Sequence, residues 1–151
     1  MTVEIRDTAF DPGVELHRYQ QQLLEYRGKV GAMVSFVGTM RDFNEDESVR
    51  AMTLDHYPGM TEKHLERIVD EATRRWEILD ALVVHRVGAL LPSDPIVLVA
   101  VWSAHRAPAF DACRYLIEEL KTRAPFWKKE ERPETAARWV ERNTPAVGKR
   151  S

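Results

Sequence analysis

"ALVVHRVGALLPSDPIVLVAVWSA", Ala81 to Ala104, decides the fold. Two apolar runs rich in valine and leucine flank a short "PSDP". Apolar runs of this length read as strands, and Pro92 to Pro95 read as the turn between them. Two strands around one tight turn predict a hairpin, and therefore antiparallel pairing.

Working outward, a helix is expected on each side. Upstream, "PGMTEKHLERIVDEATRRW" places Leu65, Ile68, Val69, Ala72 and Trp76 at helical spacing, with Thr61 as N-cap and Glu62 favouring the positive helix start. Downstream, residues 107–123 carry Pro108 in the first turn, a stripe of Phe110, Cys113, Ile117 and Leu120, and a stop at Pro125. Further upstream, "VRAMTLDHY" alternates like a half-buried strand, with Val49, Ala51 and Thr53 on one face. "DFNEDES" reads as a loop. Ala32 to Val37 is a strand bracketed by glycine, and residues 12–26 form a helix entered through Asp11-Pro12, with Leu16, Tyr19 and Leu23 on one side. Beyond Glu130 the chain turns polar, with "RPETAARW" a short helix and "NTPAVGKRS" a disordered end. The expected class is α+β: one domain over residues 1–131, a mainly antiparallel sheet covered by helices, then a partly disordered extension over 132–151.

Composition narrows the function classes. The 151 residues are 44% apolar and 30% charged, with a formal charge of -2, which argues against a general polyanion binder. Any basic site must be local. No apolar run approaches a membrane span, and the first residues carry acidic groups and no apolar leader core, so the expected location is cytoplasmic. Cys113 is the single cysteine, which excludes an intrachain disulfide and the cysteine-rich zinc sites. The five histidines show no close ligand spacing, so no metal is expected. Cys113 itself falls on a buried stripe, where a thiol is inert.

Three stretches carry candidate chemistry. In "SAHRAPAF", His105 and Arg106 stand at a helix start, where unpaired N–H groups and a partial positive charge suit an anion. Arg106 adds a bidentate donor, although pairing with a carboxylate while His105 caps the helix is the plainer account. In "GTMRDFN", Arg41 ends a strand after Gly38, which by itself is a weak sign. In "LKTRAPFWKKEE", Lys121, Lys128 and Lys129 surround a proline break and two aromatics. Lys121 is explained by the helix dipole, and Lys128 and Lys129 by solvation around two anchoring rings. Together the three stretches can line one pocket for an anionic ligand, if the fold brings them together.

"LDHYPGMTEKHLERIVDEA", "SAHRAPAFDA" and above all "LKTRAPFWKKE" resemble the large, catalytic subunit of molybdopterin synthase, over about Gly31 to Glu130. The resemblance implies an α+β fold and a sulfurtransferase without a bound cofactor. Sulfur would pass from the C-terminal thiocarboxylate of a small ubiquitin-like partner to cyclic pyranopterin monophosphate (precursor Z), making the dithiolene of molybdopterin. It implies a heterotetramer with two large subunits at its centre. By motif position, Thr39, Met40, Arg41, His105 and Arg106 would hold the pterin, Lys121, Lys128, Lys129 and Glu130 would complete the pocket, and Lys121 and Lys128 would be catalytic. The sequence departs from the family in the loop after Arg41, where Asp46 replaces a frequent glycine. Two other classes compete: a nucleic-acid module stacking bases on Phe126 and Trp127, and a non-catalytic interaction subunit.

Overall fold

The computed structural model describes residues 1–44, 47–132 and 135–140. Its elements are β1 (Thr2–Arg6), α1 (Pro12–Gln20), a 3-10 turn at Leu24–Tyr26, β2 (Ala32–Thr39), β3 (Phe43–Asn44), β4 (Glu47–Ser48), β5 (Ala51–His56), α2 (Met60–Arg75), β6 (Asp80–Arg86), β7 (Gly88–Leu90), β8 (Pro95–Ser103), α3 (Arg106–Arg123), β9 (Phe126–Arg132) and β10 (Thr135–Val140). The α+β class holds. One four-stranded sheet has the order β1-β6-β8-β2, a second has β10-β9-β5-β7, and β3 pairs with β4. All pairings are antiparallel except β1 with β6.

The deciding stretch pairs as expected, with Asp80 opposite Trp102 and His85 opposite Val97. Its connection is longer than a turn, because β7 leaves the first sheet and pairs with β5 in the second. Gly88 makes that exit with a positive φ of 91°, a conformation that glycine adopts without steric cost. Both apolar runs are continuous because both faces of β6 and β8 are covered. On one face Val83, Val97, Val99 and Val101 pack against Leu65, Ile68 and Ala72 of α2 and Cys113, Leu116 and Leu120 of α3. On the other, Leu82, Val84, Leu98 and Trp102 meet Phe10, the expected Leu16 and Tyr19 of α1, and Leu23 just beyond that helix.

Several expectations fail for identifiable reasons. Residues 12–26 do not form one helix: α1 stops at Gln20, and only the Leu24–Tyr26 turn follows. Thr61 does not cap α2. The chain enters at Gly59, whose N–H donates to Glu62 at 2.8 Å, while buried Thr61 accepts from the Tyr57 N–H and donates to the Pro125 carbonyl. In β5 it is Met52 and Leu54 that are buried, with Thr53 facing out, because the pleat is set by β9 and β7. The "DFNEDES" loop contains a two-stranded ladder, and Asp46 lies outside the described residues. The helix expected in "RPETAARW" is strand β10, because β9 offers a free edge and sheet pairing overrides local preference. The boundary drawn at 131 therefore falls inside β9, and the rest of the tail lies outside the described residues. β1 was not foreseen.

Candidate active site

The chain turns back after β8, so α3 runs in the direction of β2 and lies against it. The C-terminal end of α3 therefore sits at the end of β2 that carries Thr39 and Arg41. Pro125 breaks the helix, its carbonyl tied to Thr61, and β9 sets off beside β5 with Lys128 opposite Leu54 and Glu130 opposite Met52. Strand alternation puts Phe126, Lys128 and Glu130 on the inner face, and Trp127 and Lys129 on the outer one. Lys128 is partly buried, Glu130 is buried and Lys129 is exposed.

These elements bring Arg41, Lys121, Lys128 and Glu130 within electrostatic reach of one another. Burial holds the Lys121 ammonium below its ordinary range, Arg41 adds to that effect, and Glu118 opposes it. Lys128 is pushed down to about 8, first by burial and then by Lys121, with Glu130 acting against the shift and Arg41 adding a smaller push. A lysine so tuned is mostly protonated at neutral pH but keeps an appreciable fraction of free amine. It can hold an anion or move a proton. Arg123, two residues beyond Lys121, shows the contrasting case: it pairs with Glu71 at 2.8 Å and Glu119 at 2.7 Å and serves the fold.

The remaining candidates separate. Thr39 is exposed at the pocket. Met40 is a core residue packed with Val49, Met52, Leu54 and Leu90, and its backbone bonds to Ser93 and Asp94. Any contribution of Met40 is to fix Thr39 and Arg41 in place. The space above Gly38 is filled by Val97 and Phe36, whose atoms lie 2.9 and 3.3 Å from where a Cβ would stand, so that glycine serves sheet packing. Lys129 faces away from the pocket.

His105 and Arg106 do not join this cluster. They sit at the start of α3, and from Arg106 to Lys121 the helix rises about 22 Å. Both are exposed, and the His105 side chain makes no capping hydrogen bond. Among the described residues Arg106 forms no ion pair, so the plainer account of this pair has no support.

The two aromatics have structural employment. The Phe126 ring stacks on His85 at 4.0 Å, and Trp127 meets Tyr57 edge-on at 4.0 Å on the opposite face. They form no common platform for bases. Sequence reasoning missed His85, a buried ring beside both lysines. The sign of it was a histidine inside an otherwise apolar strand.

A family model described as MoaE protein matches residues 9–123, so the likeness begins well before Gly31. The molybdopterin synthase catalytic subunit of Ralstonia nicotianae is 51% identical over 140 residues, covering 93% of this chain and 77% of that one. Its counterpart in Pseudomonas aeruginosa is 50% identical over 141 residues, covering 93% and 91%. Among solved structures, the molybdopterin biosynthesis MoaE protein of Burkholderia ambifaria superposes with a TM-score of 0.78 at 47% identity, covering 97% and 93%. Molybdopterin synthase of Staphylococcus aureus gives 0.78 at 33% identity, covering 91% and 95%.

Proposed function

We infer how this chain works from its pocket and its kinship, for it belongs to the MoaE protein family. It is a catalytic subunit of molybdopterin synthase, a sulfurtransferase of molybdenum cofactor biosynthesis. It moves sulfur from the C-terminal thiocarboxylate of a small ubiquitin-like partner subunit to precursor Z, building the dithiolene of molybdopterin. Two such large subunits form the centre of a heterotetramer. A cytoplasmic location is part of this proposal.

The pocket of Arg41, Lys121 and Lys128 is our candidate for the reaction site, and the convergence of these three cations, with both lysines partly buried, is the observation that carries it. The nucleophilic sulfur arrives on the partner, so this chain needs no thiol of its own. What it must supply is positive charge for a phosphate, for the threaded tail and for oxyanions that develop during transfer. Arg41, always charged, suits the phosphate. Lys121 and Lys128 suit the developing charge and the protons.

His105 and Arg106 belong to the same site only if a second copy supplies them. β2 is the outer strand of its sheet and leaves Met33, Phe36 and Val37 exposed, with Phe110 of α3 60% exposed beside them although its spacing predicted burial. Pairing two β2 edges about a two-fold axis sets the start of one strand against the end of the other. The helix start of one copy then stands beside Thr39, Arg41 and the lysines of the next.

Reconstitution tests both halves of the proposal. Purified protein, thiocarboxylated small subunit and precursor Z should yield dithiolene. Co-expressed Lys121→Ala and Arg106→Ala chains, assayed at a precursor concentration too low for the weakened Arg106→Ala site to fill, should each turn over little alone and together recover about a quarter of parent turnover, since half the dimers carry one intact pocket of two. No recovery in a folded, mixed dimer rejects the shared pocket. No dithiolene from the parent rejects the function.

A further inference from the structure

We infer that His85 is a positioning residue for this reaction: an uncharged ring that seats Phe126, and through it Lys128, beside Lys121. The inference rests on Lys128 being a working group of the proposed site. His85 lies on β6 between Ile5 and Val97 and is 5% exposed. Its Nδ1 stands 2.8 Å from the Arg86 carbonyl oxygen. A carbonyl only accepts, so Nδ1 carries the proton and donates, which leaves Nε2 without one.

The ring lies nearly parallel to Phe126, 13° between planes and 4.0 Å between centres. β6 belongs to the first sheet and β9 to the second, so this stack bridges the two sheets where the chain restarts after Pro125. Phe126 and Lys128 are two residues apart on one face of β9. Whatever fixes Phe126 therefore fixes the height and direction of Lys128.

The charged and titratable groups around the ring come from several elements. Lys121 on α3, Lys128 on β9 and His56 on β5 act on the ring itself, and Arg41, Glu118 and Glu130 act on those two lysines. Burial holds His85 down to about 3; the Arg86 carbonyl works against that, and Lys121, Lys128 and His56 add to it. A protonated imidazole here would place another cation against the lysines. A leucine would seat Phe126 less specifically and leave the Arg86 carbonyl without this donor. Histidine meets both needs provided it never titrates.

The test is NMR of the full-length chain labelled at lysine Cε and histidine Cε1, which has six lysines to assign. In the parent, His85 should remain a neutral Nδ1–H tautomer from pH 5 to 9, and Lys128 should titrate near 8. In His85→Ala, water enters the vacated space, and the Lys128 midpoint should rise by about one pH unit or more toward the ordinary lysine value. Turnover should fall together with that shift, and the alkaline limb of its pH profile should move with it. His85→Phe restores the stack and should bring the Lys128 midpoint most of the way back. Three results overturn the inference: parent His85 titrating near its ordinary 6.5, an unmoved Lys128 in folded His85→Ala, or His85→Phe with Lys128 at the ordinary lysine value. If His85→Ala does not fold, the parent and His85→Phe titrations decide. Neither needs substrate or small subunit, so their failure is distinct from failure of dithiolene synthesis.

Discussion

The two ends of α3 carry cations under opposite conditions. At its start Arg106 stands in water beside His105, and the helix dipole adds to the positive charge of the guanidinium. At its end Lys121 is drawn under cover beside Lys128 and Arg41, where burial and like charge make the ammonium form costly. An exposed arginine at a helix start is suited to capture an anion. A partly buried lysine pair is suited to change protonation while a reaction proceeds. This difference supports the proposed division, with binding at one end and chemistry at the other.

The largest effect should come from the buried end. Lys121→Ala and Lys128→Ala should each lower single-turnover sulfur transfer by about a hundredfold or more, as expected for a cation aimed at transition-state charge. Both variants should stay folded by circular dichroism. Lys129→Ala, one residue along and facing outward, should remain within about twofold of the parent, since exposed side chains outside special environments matter little. Equal activity of all three variants would return the lysines to a solvated fringe.

Arg106→Ala should act on affinity. Removing a charged hydrogen-bond donor costs about 1.5–3 kcal/mol, roughly a tenfold to hundredfold weaker grip on precursor Z by calorimetry. Association with the small subunit should be unchanged. A parent-like precursor affinity would remove the helix start from the site.

A smaller effect separates the ends by pH. Lys128 has a folded-state value of about 8, below the ordinary 10.5, so most of its charge is present at about one pH unit below that value, half is gone at the midpoint, and the rest is lost as pH rises further. Precursor affinity should therefore be level up to about pH 7, decline through pH 8 and be severalfold weaker by pH 9.5, while the guanidinium groups stay charged. Lys128→Met should flatten this dependence, and Arg106→Ala should keep it on a lower baseline. A flat profile in the parent would mean that Lys128 does not face the substrate.

Legibility of the sequence follows the same division. The first sheet and α2 could be read because apolar runs and helical spacing report burial directly, as Leu65, Ile68 and Ala72 do. The second sheet was harder. β5, β7 and the neighbouring pair β9 and β10 come from three distant parts of the chain, so their pleat depends on pairings that no local pattern records. Alternation groups Val49, Ala51 and Thr53 on one face but does not say that Met52 and Leu54 are the pair that β9 and β7 bury. The lysines were visible as residues, and the outward turn of Lys129 followed from alternation after Pro125. The separation of Arg106 from Lys121 was hidden, although a straight helix of this length already forbids their meeting within one chain. Nothing local marked Phe110 as exposed, because its place on the α3 stripe matches that of buried Cys113.

The smallest expected effect concerns that cysteine. Cys113 is 4% exposed, burial pushes its thiol up to about 11, and its Sγ lies 3.9 Å from the Val99 carbonyl. It is eight residues before Lys121, about 12 Å along the helix, yet it faces the β8 core. Cys113→Ser places a hydroxyl in an apolar site and should cost about 1–3 kcal/mol in denaturant unfolding. Cys113→Ala avoids the buried hydroxyl and should cost less. Sulfur transfer should stay within about twofold of the parent in both variants, because the sulfur comes in on the partner. The native thiol should also resist alkylation until the protein unfolds. Loss of turnover in a folded Cys113→Ser chain that still binds its partner would show that the core face of α3 takes part in the chemistry, and that exposure and charge do not divide the helix as argued.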